Sequence, residues 1–108
     1  MISTEEVDKA FHYLNDTIEE YARAQSYHSG LIKQERTILA EALIMSSEKT
    51  LGMKEAFSRV SKPYKEWQIA YEDSVYELET IKAKRLLANM TWERWRSEFS
   101  AMKQGVAL

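Results

Sequence analysis

Residues 64–102, YKEWQIAYEDSVYELETIKAKRLLANMTWERWRSEFSAM, carry the pattern that decides the fold. Twelve positions in this stretch follow one another in steps that alternate between three and four residues. They are Tyr64, Trp67, Tyr71, Ser74, Leu78, Ile81, Arg85, Ala88, Trp92, Trp95, Phe99 and Met102. A repeat of 3.5 residues places these side chains along one helix face, as the seam of a coiled coil. We therefore predict a helix over about 62–103, with Pro63 in its first turn and Ser61 as its cap.

The N-terminal part of the chain predicts a second long helix, over about 4–46. Ser3 and Glu6 have the spacing of a capping box, which marks a helix start. Apolar residues from Val7 onward follow the same period of 3.5 residues. Polar residues interrupt this seam near its middle, where Gly30 also costs about 1 kcal/mol relative to alanine. The sequence leaves open whether the helix bends or breaks near Gly30.

The two long helices are joined by a short connection. The segment SSEKTLG, residues 46–52, clusters serine, threonine and glycine and is typical of a loop. A short helix is predicted over about 53–60. Two helices with complementary seams and a short connection fold back on each other as an antiparallel hairpin. We therefore predict an all-α, coiled-coil-like hairpin that forms a single helical domain over 1–108.

Two paired helices bury little apolar surface, so we expect a third short helix or a second copy of the chain to cover the rest. Val75, Leu87 and Met90 widen the apolar stripe beside the seam, which favours completion of the fold as a homodimer. The side chains predicted to form the core or the dimer seam are Tyr64, Trp67, Tyr71, Leu78, Ile81, Trp92, Trp95, Phe99 and Met102.

Composition supports a helical protein and excludes several classes. The 108 residues are 44% hydrophobic and 30% charged, with three glycines, one proline and no cysteine. Few helix breakers are typical of long helices, and the absence of cysteine excludes disulfides and thiolate metal sites. A net charge of −2 argues against a strongly basic nucleic-acid binder. No secretory signal or membrane-spanning run is visible, so we expect a soluble intracellular protein without membrane contact.

No catalytic or metal-binding constellation is visible in the sequence. His12 and His28 are the only histidines, and neither has a glutamate three residues before it, as a di-iron helical bundle requires. The glycines are isolated, and no nucleophile elbow occurs. We therefore predict no enzyme activity, no metal, no cofactor and no small-molecule substrate.

Charged residues surround the tryptophans near the C-terminus and form the candidate interaction surface. Its members are Lys82, Lys84, Arg85, Glu93, Arg94, Arg96 and Lys103. Cations next to exposed aromatic rings are a feature of proteins that bind single-stranded nucleic acid. Trp92 and Trp95 fall on the predicted seam, however, which favours a core role for the rings and leaves the charges to meet a partner.

The stretch from residue 33 to residue 103 resembles a family of small helical proteins encoded by tailed bacteriophages and prophages. The resemblance lies in Ala42 to Met45, Gly52, Glu55 with Ala56, Tyr64, and a Glu-x-Trp-Arg-Ser ending at Glu93 to Ser97. It implies an early-region protein of the host bacterial cytoplasm, often encoded near recombination and single-strand annealing functions, and it implies no catalytic activity. Small phage proteins of this kind often bind a host or phage protein, including nucleases and CRISPR-type defence complexes.

Three functional hypotheses follow. The first is a non-enzymatic phage protein that acts by protein–protein contact, either in phage DNA recombination and metabolism or as an inhibitor of a host defence factor. The second is direct binding of single-stranded DNA along the basic C-terminal helix. The third is a small structural or assembly subunit. The sequence does not identify the partner.

Overall fold

The computed structural model describes residues 1–105 and confirms the all-α prediction. Its four helices are α1 (Thr4–Asp16), α2 (Ile18–Met45), α3 (Leu51–Val60) and α4 (Lys62–Lys103). No strand occurs within the described range.

The bounds of α3 and α4 follow from local capping. Helix α4 covers the predicted range, with Pro63 in its first turn, where its missing amide hydrogen removes no helical hydrogen bond. Helix α3 begins two residues earlier than predicted because Thr50 is its N-cap. The Thr50 hydroxyl accepts a hydrogen bond of 3.2 Å from the Met53 amide. The loop after α2 is correspondingly shorter than the sequence predicted.

The prediction of one unbroken helix over 4–46 is wrong at Thr17, where α1 ends and α2 follows. The cause is the Arg85 guanidinium, which donates to the Leu14 carbonyl oxygen at 2.8 Å and to the Thr17 hydroxyl oxygen at 2.6 Å. In a straight helix the Leu14 carbonyl accepts from the Ile18 amide. The Thr17 hydroxyl also donates to the Tyr13 carbonyl at 2.7 Å. A side chain that takes a helical carbonyl as its acceptor competes with the backbone hydrogen bond, and a threonine hydroxyl bonded to the carbonyl four residues earlier does the same. Both interactions bend helices.

Gly30 does not interrupt α2, although the sequence marked it as the point of greatest weakness. A methyl group at this position would meet no atom within 4 Å. We therefore expect Gly30→Ala to raise the free energy of unfolding by about 0.5–1 kcal/mol, because alanine loses less backbone entropy on helix formation. Urea unfolding followed by circular dichroism measures this change. A destabilised variant would contradict the regular helical geometry at residue 30.

The described chain divides into two compact units. Unit 1 combines Met1–Ala22 with the chain from Glu79 onward, and unit 2 is Arg23–Leu78. In unit 1 the helical segments run antiparallel, since Leu14 faces Arg85 and Phe11 faces Trp92. Its buried hydrophobic side chains are Val7, Ala10, Ile81 and Ala88.

Unit 2 is built around Leu31, Tyr64 and Trp67, all buried. The Trp67 indole donates a 2.7 Å hydrogen bond to the Leu31 carbonyl, and its ring stacks between those of Tyr64 and Tyr71. The Tyr64 hydroxyl donates to a Glu35 carboxylate oxygen at 3.1 Å. Burial, followed by this hydrogen bond, raises the pKa of Tyr64 above its ordinary value of 10.0. The stability that Tyr64 contributes is therefore present below pH 10.0 and is lost as the pH rises through its raised pKa.

A polar site also lies inside unit 2. The Ser74 hydroxyl donates to the Tyr71 carbonyl at 2.7 Å, and it lies 3.1 Å from Nδ1 of His28. A hydroxyl has one proton, so His28 must donate through Nδ1 while Ser74 accepts. The His28 ring stacks on Tyr71 at 5.3 Å between centroids. His28 and Glu35, two polar residues within the N-terminal seam, therefore form specific contacts with α4.

The predicted seam of α4 is unevenly buried. Tyr64, Trp67, Ser74, Leu78, Ile81 and Ala88 are buried, whereas Tyr71, Arg85, Trp92 and Trp95 are half-buried. Phe99 and Met102 are 46% and 52% exposed, so neither is buried within the described chain, and their predicted place in a dimer seam stays a prediction. The reason is that α1 begins at Thr4, and Ile2 already faces Glu98. No facing helix reaches the last turn of α4.

Candidate binding surfaces

The predicted C-terminal interaction surface is mostly engaged within the chain. Arg96 and Glu93 form an ion pair of 2.7 Å, Arg94 pairs with Glu98 at 3.2 Å, and Lys82 pairs with Glu79 at 3.6 Å. Each pair joins residues three or four positions apart on exposed helix surface, where such pairs stabilise little and exchange readily. These side chains remain accessible to a partner.

The remaining predicted cations differ from one another. The Lys103 ammonium lies 5.3 Å from the centroid of the Phe99 ring. Lys84 is exposed and has no hydrogen bond or ion pair within the described chain. Arg85 is not a free surface cation, because its guanidinium binds the Leu14 carbonyl and lies 5.1 Å from the Tyr21 ring centroid. Its assignment to the interaction surface is therefore corrected to a structural role.

Glu98 fixes the N-terminus of the chain against α4. The Ile2 amide donates to its carboxylate at 2.7 Å, and the N-terminal ammonium lies 4.0 Å away. The hydrogen bond from Ile2 is the main cause that lowers the pKa of Glu98, and the N-terminal charge and Arg94 act in the same direction. A carboxyl group with a lowered folded-state pKa stabilises the fold above its unfolded pKa, and this contribution is lost as the pH falls through the folded value.

We therefore expect acid to destabilise the wild-type protein more steeply than the Glu98→Gln variant as the pH falls below about 4.3, the ordinary pKa of glutamic acid. The midpoint of urea unfolding, measured at several pH values from neutral to acid, gives the comparison. Glu77→Gln is the matched control, because Glu77 is exposed and has no partner within residues 1–105. Equal acid profiles for Glu98→Gln and the wild type would show that the contact with Ile2 does not form.

An open groove of about 650 Å³ runs between the two helical walls of unit 1. On one wall lie Phe11 and Ile18, and on the other Leu86, all three more than half exposed. The two chain segments that form unit 1 have net side-chain charges of opposite sign. Residues 1–22 contain six carboxylates and one lysine, a side-chain charge of −5, whereas residues 79–105 contain six cations and three carboxylates, a charge of +3. The groove itself is lined mainly by apolar side chains, together with Asn15, Asn89, Lys82 and Arg85.

Helix α3 in unit 2 presents its apolar residues to solvent. Met53, Phe57 and Val60 recur at positions i, i+4 and i+7 and form one outward stripe. We call this stripe and the neighbouring apolar side chains the α3 surface. It consists of Ile44, Met45, Leu51, Met53, Phe57 and Val60, which are between 41% and 83% exposed.

The opposite side of α3 is small and polar. Ser58 is buried and donates to the Glu55 carbonyl at 2.7 Å, and Ser61, also buried, donates to the Ser58 carbonyl at 2.6 Å. The helix therefore buries hydroxyl groups that satisfy their hydrogen bonds locally and exposes its hydrophobic stripe. This is the reverse of the arrangement in a typical surface helix.

The chain segment that carries the α3 surface is rich in cations. Residues 44–66 contain five cations and three carboxylates, a net charge of +2 in a chain whose overall charge is −2. Within the described range only Lys62 forms an ion pair, with Glu66 at 3.8 Å. The other four cations are Lys49, Lys54, Arg59 and Lys65.

The sequence alone did not predict the α3 surface. The spacing of Met53, Phe57 and Val60 is visible in the sequence, but a spacing shows that a stripe exists and not which way it faces. The burial of Ser58 and Ser61 decides the direction, and it depends on tertiary packing.

Neither a metal site nor a membrane span is present in the described part of the chain. No group of three or more histidine, cysteine, aspartate or glutamate side chains is placed to hold a metal ion in residues 1–105. None of the helices in that range combines the length and the apolar character needed to cross a bilayer.

Comparison with known proteins gave no relative. No family model, curated protein sequence or solved structure matches this chain.

Proposed function

We propose that this chain is a non-enzymatic protein that acts by protein–protein contact. The observation that supports the proposal is the distribution of its hydrophobic side chains. Among residues 1–105, eighteen large hydrophobic residues are at least 41% exposed, whereas nine hydrophobic residues are buried. Exposed apolar side chains that gather into contiguous surfaces are typical of sites that another protein covers. The groove of unit 1 and the α3 surface are the two places where they gather.

The groove of unit 1 favours a second copy of the chain as its occupant. In a two-fold symmetric dimer each copy offers the same patch, and in the proposed arrangement the wall containing α1 meets the partner's α4 wall. Chain segments with net charges of −5 and +3 then come together twice, while Phe11, Ile18 and Leu86 are covered. The proposed dimer thus forms through this groove, and Phe99 and Met102 lie beyond the part of α4 that lines it.

Light scattering coupled to size-exclusion chromatography tests the dimer. We expect the wild-type protein to have twice the chain mass of 12.6 kDa. Leu86→Glu, which places a charge on the groove wall, should give the monomer mass with unchanged helical content by circular dichroism. Tyr76→Glu is the matched control, because Tyr76 is exposed in unit 2, and it should remain dimeric. A monomeric wild type at about 100 μM, or a dimer that persists in Leu86→Glu, would exclude this interface.

The proposed biological setting is a bacteriophage accessory protein in the host bacterial cytoplasm. There it would serve phage DNA recombination or metabolism, or inhibit a host nuclease or CRISPR-type defence complex. The resemblance of residues 33–103 to small phage helical proteins supports this setting. The test is plaque formation by phage lacking the gene on hosts with and without defence systems. Reduced plaque formation only on hosts with defence systems supports inhibition of a defence factor. Reduced recombination between co-infecting phages on all hosts supports the metabolic role. If neither plaque formation nor recombination changes, both roles are excluded.

Direct binding of single-stranded DNA is the second candidate. It is favoured by Lys84, which has no partner within the described chain, and by the exchangeable ion pairs of Lys82, Arg94 and Arg96. Trp92 and Trp95 are half-buried and stack on each other at 5.6 Å, so they are poorly placed to stack on bases. Fluorescence anisotropy with a labelled thirty-nucleotide strand decides the question. Binding at 50 mM salt that fades steeply by 200 mM supports this candidate, and no binding at 50 mM salt excludes it.

A structural or assembly subunit is the third candidate, and the same light-scattering measurement addresses it. Rings or higher oligomers in solution would favour that role over a dimeric binding protein.

A further inference from the structure

The α3 surface has a chemistry that specifies its partner more narrowly than protein–protein contact in general. Met53, Phe57 and Val60 form an apolar stripe, and seven residues of helix separate its ends by about 10 Å. Ile44, Met45 and Leu51, which are close to the stripe in sequence, are further apolar residues that are at least 64% exposed. The patch is the size of two turns of a partner helix and consists of flexible and branched apolar groups. Methionine in particular adapts to partners of different shape.

The charges of this segment disfavour a symmetric pairing of two α3 surfaces. Such a pairing would bring two net-positive segments face to face, and like charges across an interface disfavour association. Lys49, Arg59 and Lys65 are exposed and form no ion pair within residues 1–105, so their charge is available to a ligand of opposite sign. Unit 1 combines chain segments of opposite net charge, whereas the segment that carries the α3 surface is net positive.

We propose that the α3 surface binds an acidic amphipathic segment of a partner protein. The segment carries apolar anchors at helical spacing that cover Met53, Phe57 and Val60, with Asp or Glu residues on its flanks that meet Lys49, Arg59 and Lys65. This is the helix-in-groove mode of recognition, in which the α3 surface supplies the cations and the partner segment supplies the carboxylates. The inference rests on the proposed function, because it names the chemistry of a partner in protein–protein contact.

A membrane surface is the other occupant that an apolar and basic helix could take. The structure favours protein, because α3 is only ten residues long and carries Glu55 among its cations. Stable attachment to a bilayer by an amphipathic helix needs a large buried apolar area or a second anchor.

Selection from a random peptide library tests the inference. The immobilised full-length protein is used to select displayed peptides of sixteen random residues, with elution at high salt. We expect the selected peptides to share apolar residues at spacings of three and four and to be rich in Asp and Glu. Fluorescence anisotropy with the strongest peptide should then show at least a tenfold weaker affinity for the Phe57→Ser, Val60→Ser double variant. A synthetic copy with Lys in place of each acidic residue should bind at least tenfold more weakly to the wild type.

Several results would overturn the inference. Selected peptides without acidic bias, or binding that the Phe57→Ser, Val60→Ser variant retains, would show that the α3 surface is not the site. Failure to enrich any peptide would have the same meaning. Flotation with vesicles of phosphatidylcholine and phosphatidylserine is the membrane arm, and co-flotation of the wild type but not the double variant would assign the surface to lipid. The Leu86→Glu variant should bind the peptide normally, so loss of the dimer and loss of peptide binding remain distinguishable.

Discussion

Replacing Trp67 with alanine should lower the free energy of unfolding by about 3–5 kcal/mol, because the lost transfer free energy of a buried tryptophan is increased by the cavity that remains. Trp67 is buried, stacks on Tyr64 and Tyr71, and donates to the Leu31 carbonyl. Small domains are stable by about 5–15 kcal/mol in total, so the variant should be close to unfolding or already unfolded in unit 2.

Two comparisons show whether this loss has the stated cause. Trp92→Ala is the matched control, because Trp92 is only half-buried and should cost clearly less. Trp67→Phe retains an aromatic ring and removes the indole donor, so it should fall between the wild type and Trp67→Ala. Urea unfolding monitored by far-ultraviolet circular dichroism gives the free energies. Equal losses for Trp67→Ala and Trp92→Ala would contradict the position of Trp67 in the core of unit 2.

The second large effect is expected from Arg85→Ala. Arg85 donates to the Leu14 carbonyl and the Thr17 hydroxyl, and its guanidinium lies against the Tyr21 ring. Hydrogen bonds from charged groups contribute about 1.5–3 kcal/mol, so we expect a loss of about 2 kcal/mol. Lys82→Ala, which removes an exposed cation three residues away, should change stability by less than about 0.5 kcal/mol. If Arg85→Ala lowers the free energy of unfolding no more than Lys82→Ala does, the assignment of Arg85 as a structural residue is contradicted.

A local measurement separates this role from general packing. When Arg85 is removed, the Leu14 carbonyl is free to accept the Ile18 amide as in a regular helix. Hydrogen exchange measured by NMR should therefore show the Ile18 amide becoming more protected relative to its neighbours, although the variant as a whole is less stable. An Ile18 amide whose relative protection is unchanged would mean that Arg85 does not cause the break at Thr17.

The sequence was sufficient for α4 and insufficient for the break at Thr17. Twelve seam positions in unbroken register predict a long helix because one-dimensional spacing maps directly onto one helix face. The consequence of Arg85 in that seam depends on which backbone atoms face it, and no local pattern contains this information. For the same reason Gly30, a weak helix former by propensity, lies inside a regular helix while Thr17 does not.

The α3 surface illustrates a different limit. The sequence predicted a short helix at this place, and the predicted first residue lies two positions from the observed one. Its orientation depends on Ser58 and Ser61 filling the space beside the other helices of unit 2. A hydrophobic pattern is normally taken to mark the buried face, and for α3 that expectation would assign the wrong face to the core. The exposed stripe is therefore visible only when burial is known.

The charged residues near the C-terminus are correctly located by the sequence pattern, but they have different structural roles. Glu93, Arg94 and Arg96 are exposed, as register predicted, and pair with neighbours on the same helix. Arg85 belongs to the same cluster in sequence and is bound to backbone. Charge in a sequence indicates where cations are, and only the facing atoms show which of them are available.

The central claim is that the protein acts through its exposed apolar surfaces, and site-specific photo-crosslinking in cells tests it most directly. A benzophenone amino acid is incorporated at Val60, on the α3 surface, or at Tyr76, which is exposed elsewhere in unit 2. Cells that produce the labelled protein are then irradiated. We predict one abundant cross-linked protein from position 60, joined through an acidic segment identified by mass spectrometry, and no such product from position 76. The same products from both positions, or none from position 60, would contradict the claim.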